Sequence, residues 1–145
     1  DEYIRTKNET IIDDDLWKLF IKDMDKSINF VGICDTCHSG SMFDLDYSWN
    51  GNSWISDSKR EPIYRNAISI GACTDSQLDN CDIGETIGFG GSLTIQLIEN
   101  DYLCKLFDYD DKQLIEIYNK ITKKLKSFGQ HPVIQTNFKK TSLEI

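Results

Sequence analysis

The sequence predicts an α/β domain, and three observations carry that expectation. Two short apolar runs, Ile28 to Cys34 and Ala67 to Cys73, have the length and composition of strands buried in a sheet. Three other segments, after Asp13, Gly91 and Asp110, place apolar residues at helical spacing. Strands and helices alternate along the chain, which is the order of a sheet with helices packed on its faces.

Taken in order, Asp13-Asp14-Asp15 followed by Leu16, Leu19, Phe20 and Met24 reads as a capped helix. Carboxylates in its first turn suit the positive end of the helix dipole. The run Ile28 to Cys34 stops abruptly at the polar loop Asp35-Thr36-Cys37-His38-Ser39-Gly40. Residues 45–62 are polar, contain Gly51 and Pro62, and read as a long loop carrying Tyr47, Trp49 and Trp54. The second strand, Ala67 to Cys73, leads into another long loop, 74–91, rich in Asp and Gly. Long loops after buried strands are where sites are usually built. Gly91 opens a helix with Leu93, Leu97 and Ile98 inward. The next helix follows Asp110-Asp111, carries Leu114, Ile117, Tyr118, Ile121, Leu125 and Phe128, and ends at Gly129. Pro132 to Asn137 reads as a last strand at the edge of the sheet, where a residue without an N–H is tolerated. Three strands are few for a free-standing domain of this class, so further strands are expected upstream.

The bulk properties exclude several classes. A length of 145 residues corresponds to one domain or a large part of one, and 39% hydrophobic residues suffice for a real core. The formal net charge of −8 argues against nucleic-acid and anionic-membrane partners and is compatible with a basic peptide. No apolar run is long enough for a membrane span, and no signal peptide is recognised. The first residues, Asp1-Glu2, are those expected of a processed or truncated product. Five cysteines without small-domain disulfide spacing suggest a reducing, cytoplasmic setting.

Cys37 is the candidate nucleophile. A Cys just after a buried strand sits at the carboxyl rim of the sheet, where α/β proteins place their ligands. The small residues Ser39 and Gly40 let a substrate backbone approach. Peptide cleavage by Cys needs a thiolate, a base within reach and donors for the oxyanion, one of which the Cys37 N–H could supply. Other readings stand beside this one. Cys37 could be a small buried hydrophobe. Cys34-Asp35-Thr36-Cys37-His38 also has the form of a haem attachment pattern, although Met24 and Met42 are the only candidate axial methionines. A zinc site could draw on Cys34, Cys37, Cys73 and Cys81, although seven residues separate the later pair.

The stretch from Asp35 through Cys37, His38, Ser39 and Gly40 to Leu45 resembles the D-[SC]-C-H-S-G segment of metacaspases. Further segments follow in that family's order. Asp1-Glu2 with Ile12-Asp13-Asp14-Asp15-Leu16 is similar to the D-E … I-x-D-D-E-L segment, and Ile68 to Gln77 resembles the strand and C-x-D-x-Q loop. Gly90-Gly91-Ser92-Leu93-Thr94 looks like the G-G-A-L-T helix start, and His131 to Gln135 like the closing strand.

The resemblance implies a caspase-like, mostly parallel sheet flanked by helices, of which residues 1–145 are the C-terminal portion of a single peptidase domain. It implies a cysteine endopeptidase acting after Arg or Lys, with Cys37 catalytic. Asp35 would line the pocket for the basic side chain, and Asp75 and Gln77 would either border the cleft or form a turn. A carboxylate in a partly dry pocket pairs with Arg or Lys and penalises an acidic side chain. Asp13, Asp14 and Asp44, with Asp1, match carboxylates that hold an activating, non-catalytic Ca²⁺, and hard oxygen donors suit that ion. Asp35 as a loop cap and Asp13 and Asp14 as ordinary helix-start residues are the structural alternatives. The segment between Glu2 and Asp13 is shorter than the family's, and Asn8 stands where a second Asp is common.

The family's catalytic His lies in an S-G-H-G segment that nothing here matches. Of the chain's two His, His38 adjoins Cys37, and adjacent side chains in an extended chain point apart. His131 precedes Pro132 and reads as structural or exposed. The expected partners are therefore a peptide or protein with a basic residue at the cleaved bond, and the N-terminal portion of the same domain. A non-catalytic peptide-binding or assembly module is the alternative.

Overall fold

The computed structural model describes residues 3–36, 38–56, 60, 63, 66–74, 91–103 and 106–137. The described elements are a five-stranded sheet, a separate two-stranded hairpin and three α-helices. The hairpin joins β1 (Tyr3–Arg5) to β2 (Thr10–Ile12) antiparallel and is largely exposed.

Helix α1 (Asp13–Trp17) follows at once. It starts at Asp13 itself, and its N-cap, Ile12, makes no side-chain cap bond. The Asp13 carboxylate instead accepts from the Asp14 N–H at 2.8 Å. The segment continues as a wider π-helical turn, Lys18–Lys22, which closes with the Asp23 N–H donating to the Lys18 carbonyl at 2.8 Å.

The large sheet runs β3 (Phe30–Cys34), β6 (Ala67–Gly71), β7 (Val133–Thr136), β4 (Tyr47–Trp49), β5 (Trp54–Ser56). The α/β class is as expected, and β3 and β6 form a parallel pair. The other pairings among the described strands are antiparallel.

Two expectations change here. The long loop expected over 45–62 contains the hairpin β4–β5, whose turn is held by Asn50 Oδ1 accepting from the N–H groups of Asn52 (2.9 Å) and Ser53 (2.8 Å). The strand expected at the sheet edge, β7, lies in its middle, between β6 and β4. Pro132 is compatible with that position because it precedes the first paired residue, Val133, so its missing N–H takes no ladder bond away.

The two faces of the sheet follow from strand alternation. Val31 and Ile33 on β3 are in register with Ile68 and Ile70 on β6, and all four pack on one face with Ile134 of β7. Helices α2 (Ser92–Glu99) and α3 (Asp111–Leu125) cover that face with Leu93, Leu97, Leu114, Ile117, Ile121 and Leu125. Burying each such side chain stabilises the fold by roughly 1.5–3 kcal/mol. The alternate residues, Phe30, Cys34 and Ala67, face the other side. There they meet Ile21, Met42, Phe43 and Leu45, with Phe30 stacked 5.5 Å from Phe20 and edge-on to Phe43 at 5.0 Å.

Ile98, expected inward, is 62% exposed, one position past the Leu93–Leu97 stripe of α2. Helix α3 begins with a reciprocal capping box between Asp110 and Gln113. After a short 3₁₀ turn the helical run ends at Gly129, whose φ of 75° is the left-handed value a glycine adopts without strain.

Candidate active site

Parallel pairing puts the carboxyl ends of β3 and β6 on one rim, with Cys34 opposite Gly71. The loop after β3 folds over the end of β6. The Ala72 N–H donates both to the Cys34 carbonyl at 2.9 Å and to Ser39 Oγ at 3.1 Å, and Ser39 is fully buried. Gly71 makes this possible: a Cβ there would stand 2.8 Å from the Ser39 carbonyl carbon and closer still to its oxygen. Because the obstacle is backbone, Gly71→Ala is expected to cost about 1–3 kcal/mol of stability in urea unfolding and to lift the loop off β6.

The start of α2 is held at the same rim. Asp35 Oδ2 accepts from the Thr94 N–H at 2.8 Å, so this carboxylate caps the helix from a distant part of the chain. Gly91 leaves room for it, since a Cβ at that position would collide with the Asp35 carboxyl group. The other oxygen, Oδ1, is buried and has no hydrogen-bond partner among the described residues. Behind this contact, the buried Ser92 hydroxyl donates to Gln130 Oε1, and Gln130 Nε2 donates to Cys73 Sγ at 3.9 Å. Helix α2, the end of β6 and the turn before β7 are thus tied together by buried polar groups.

Cys37, Asp75, Gln77 and Asp1 lie outside the described residues. His38 is exposed, with a left-handed φ of 52°, and His131 is also exposed. Cys34 is a half-buried free thiol, and Cys73 is buried. Burial pushes the Cys34 thiol up from 9.0 to about 11, so it stays protonated at neutral pH, which argues against a nucleophilic thiolate at that position. The raised value also fixes the sign of a pH effect. The stability it contributes is present below the ordinary thiol value and is lost as pH rises toward about 11. Urea midpoints at about pH 8 and about pH 10.5 should fall further in the native chain than in Cys34→Ala.

Asp13, Asp14 and Asp44 lie close enough together for Asp13 and Asp14 to act on the Asp44 charge. Asp13 is buried; Asp44 adopts a left-handed φ of 46° in a turn closed by its N–H donating to the Ser41 carbonyl at 2.8 Å. Between Asp14 and Asp44 sits a residue that sequence reasoning passed over. Arg60 pairs with Asp14 Oδ1 and, at 2.6 Å, with Asp44 Oδ2, while its guanidinium lies 4.5 Å from the centre of the Trp17 ring. Burial pushes the Asp44 carboxyl up, Arg60 pulls it down by hydrogen bond and charge, and Asp13 and Asp14 push it up again, with a net rise. Burial alone would lower Arg60, but its hydrogen bond to Asp44 and the three carboxylates together raise it. Among the described residues, no three His, Cys, Asp or Glu side chains are arranged to hold a metal ion. Nothing in the order Lys59-Arg60-Glu61 marked Arg60 out, since charged residues in a polar stretch are usually solvated.

The fold is that of an α/β protein of caspase-like architecture, with the Asp35–Gly40 loop and the start of α2 meeting at one end of its sheet. The chain is metacaspase-like. It is 30% identical over 92 residues to Metacaspase-5 of Trypanosoma cruzi (strain CL Brener), covering 57% of this chain and 21% of that protein. It is 29% identical over 97 residues to Metacaspase-1 of Plasmodium falciparum (isolate 3D7), covering 63% and 16%. Metacaspase-5 of Trypanosoma brucei brucei aligns over 145 residues at 23% identity, covering 92% and 29%. The chain thus spans less than a third of the length of these curated relatives. No protein-family model matches it. No helix among the described residues is long and apolar enough to cross a membrane.

Proposed function

We propose that this chain carries the nucleophile half of a cysteine endopeptidase site that cleaves after Arg or Lys. A His from the N-terminal portion of the domain takes the Cys37 proton, and the thiolate attacks the substrate carbonyl. The tetrahedral intermediate collapses to a thioester as the protonated imidazole gives its proton to the departing amine. Water then adds with the imidazole as base, releasing the acid and restoring the thiol.

The observation that carries the specificity is the state of Asp35. It lies two residues before Cys37, with one oxygen fixed on α2 and the other buried and unmatched among the described residues. Such a carboxylate is a ready acceptor for a guanidinium or ammonium group. Asp75 is assigned to the same cleft on the resemblance alone.

Asp13, Asp14 and Asp44, with Asp1, are proposed to hold Ca²⁺. Carboxylate oxygens are the hard donors that ion takes, and Asp13 and Asp14 lie near enough to act on the Asp44 charge, but among the described residues no three ligating side chains are arranged to hold a metal ion. A bound ion would supply charge neutralisation that orders the loop around residues 35–45, and Cys37 chemistry does not pass through it.

The experiment is cleavage of an Arg-ended fluorogenic peptide, with calcium, by the full-length protein and by this chain alone. Activity that requires the N-terminal portion and is lost in Cys37→Ala supports the enzyme. A full-length protein that binds the peptide without cleaving it supports a peptide-binding module instead.

A further inference from the structure

A cleft of about 390 Å³ opens between α2 and α3. That size lies in the range of sites that hold a small ligand or one large side chain of a partner. Its walls are mostly apolar. Ile121, which is buried, and Tyr102, packed on the same core, supply that part. Lys120, Lys123 and Lys124, all exposed, line it as well. Residues three and four apart on a helix are neighbours, so Lys120 stands beside both Lys123 and Lys124. Among the described residues none of the three forms an ion pair. The positive charge is concentrated here: residues 120–126 hold four lysines and no acid, in a chain of net charge −8. Lys123 and Lys124, in the last turn, suit the negative end of the helix dipole, which leaves Lys120 and the cleft itself to be explained.

On the α2 wall, the side-chain oxygen of Gln96 is buried and has no hydrogen-bond partner among the described residues. A buried amide left unmatched gains by turning toward a peptide group. We propose that this cleft is a docking site for an acidic peptide segment that carries one bulky apolar residue. The apolar side chain packs against Tyr102 and Ile121, carboxylates on either side of it meet the lysines, and a backbone N–H answers Gln96. Three neighbouring ammonium groups match several carboxylates better than the single one of a fatty acid. At physiological salt a charge is screened beyond about 8 Å, so for a short peptide the lysines at the cleft outweigh the acidic residues elsewhere. A nucleic acid or an anionic membrane presents charge over a wide area and meets the net charge of −8 instead. The docking site is separate from the cleavage reading above and needs neither Cys37 nor calcium.

The test is fluorescence anisotropy of a fluorescein-labelled peptide, a leucine flanked by two glutamates on each side, titrated with the full-length protein. The peptide holds no Arg or Lys, so it offers no bond of the kind proposed for cleavage. Saturable binding is expected. Lys120→Glu combined with Lys124→Glu, which reverses two exposed charges, should weaken it at least about tenfold. Replacing the leucine by serine, or the glutamates by glutamines, should weaken it to a similar degree. Raising NaCl from about 50 to about 500 mM should weaken it severalfold. Thermal unfolding checks that the variant is folded. If the double variant melts well below the native protein, Lys120→Gln takes its place, with an expected loss of about threefold. Absence of binding by the native protein, or equal binding by the folded lysine variants, overturns the docking site. Equal binding of the serine peptide, or displacement of the leucine peptide by octanoate at a similar concentration, overturns the assignment of an acidic peptide with an apolar anchor. Neither failure touches the cleavage reading, which is measured on a different substrate.

Discussion

Replacing Cys37 with alanine is expected to lower the rate of Arg-peptide cleavage by the full-length protein on the order of 10⁶-fold, the scale seen when a covalent nucleophile is removed. The expectation draws on what fixes the loop on either side of this residue. Upstream, Cys34 is locked in the parallel ladder opposite Gly71. Downstream, buried Ser39 is bonded to the Ala72 N–H. The described residues on either side of it, Cys34 and Ser39, are therefore both fixed at the sheet's carboxyl rim. Cys34→Ala is the matched control. Its thiol is held protonated by burial among Phe30, Phe43 and their neighbours, so its loss should leave cleavage largely intact. Progress curves for the two variants, measured on equal amounts of folded protein, give the comparison. If Cys37→Ala cleaves at the native rate, the nucleophile has been misassigned.

Asp35→Asn is expected to reduce kcat/KM on an Arg-ended peptide by about 100-fold, in line with losing one member of a desolvated charge pair. The choice of asparagine separates two roles. The amide oxygen can still accept from the Thr94 N–H, so the start of α2 stays capped while the charge disappears. Asp35→Ala removes both, and should cost about a further 1 kcal/mol of stability from the lost cap. The telling quantity is the ratio of kcat/KM for an Arg peptide to that for its uncharged isostere. A ratio unchanged in Asp35→Asn would reduce Asp35 to a helix cap.

Much of the architecture was legible because it is written in burial. β3, β6, α2 and α3 were read within a few residues from apolar runs and helical spacing, since each presents several side chains to the core. The features that escaped are those in which few residues carry the signal. β4 and β5 are three residues each and half-exposed, too short for an alternation to show. Their best clue was Asn50-Gly51 between two tryptophans, a turn signal that gained its meaning once Trp49 and Trp54 were seen edge to edge at 5.5 Å. The place of β7 turned on partners rather than composition: Gln135 is buried and its amide donates to Ser48 Oγ at 3.0 Å, a contact no local pattern announces.

The candidate site divides in the same way. The Asp35 to Gly40 loop was visible as a motif, whereas the roles of Thr94, Gly91 and Arg60 arise from contacts between residues at least sixteen positions apart.

The central place of β7 bears on how the molecule comes into being. β3 and β6 can meet as soon as both have left the ribosome, and β4 and β5 can form their own ribbon, but among the described strands only β7, residues 133–136, pairs with both pieces. A nascent chain stalled before that point would hold two half-sheets with bare edges, the state most exposed to mispairing and to chaperones. The strand that finishes the sheet also brings Gln130, which touches Ser92 and Cys73 beside the nucleophile loop. The rim beside the Asp35–Gly40 loop is therefore completed only once residues 130–136 have taken their place.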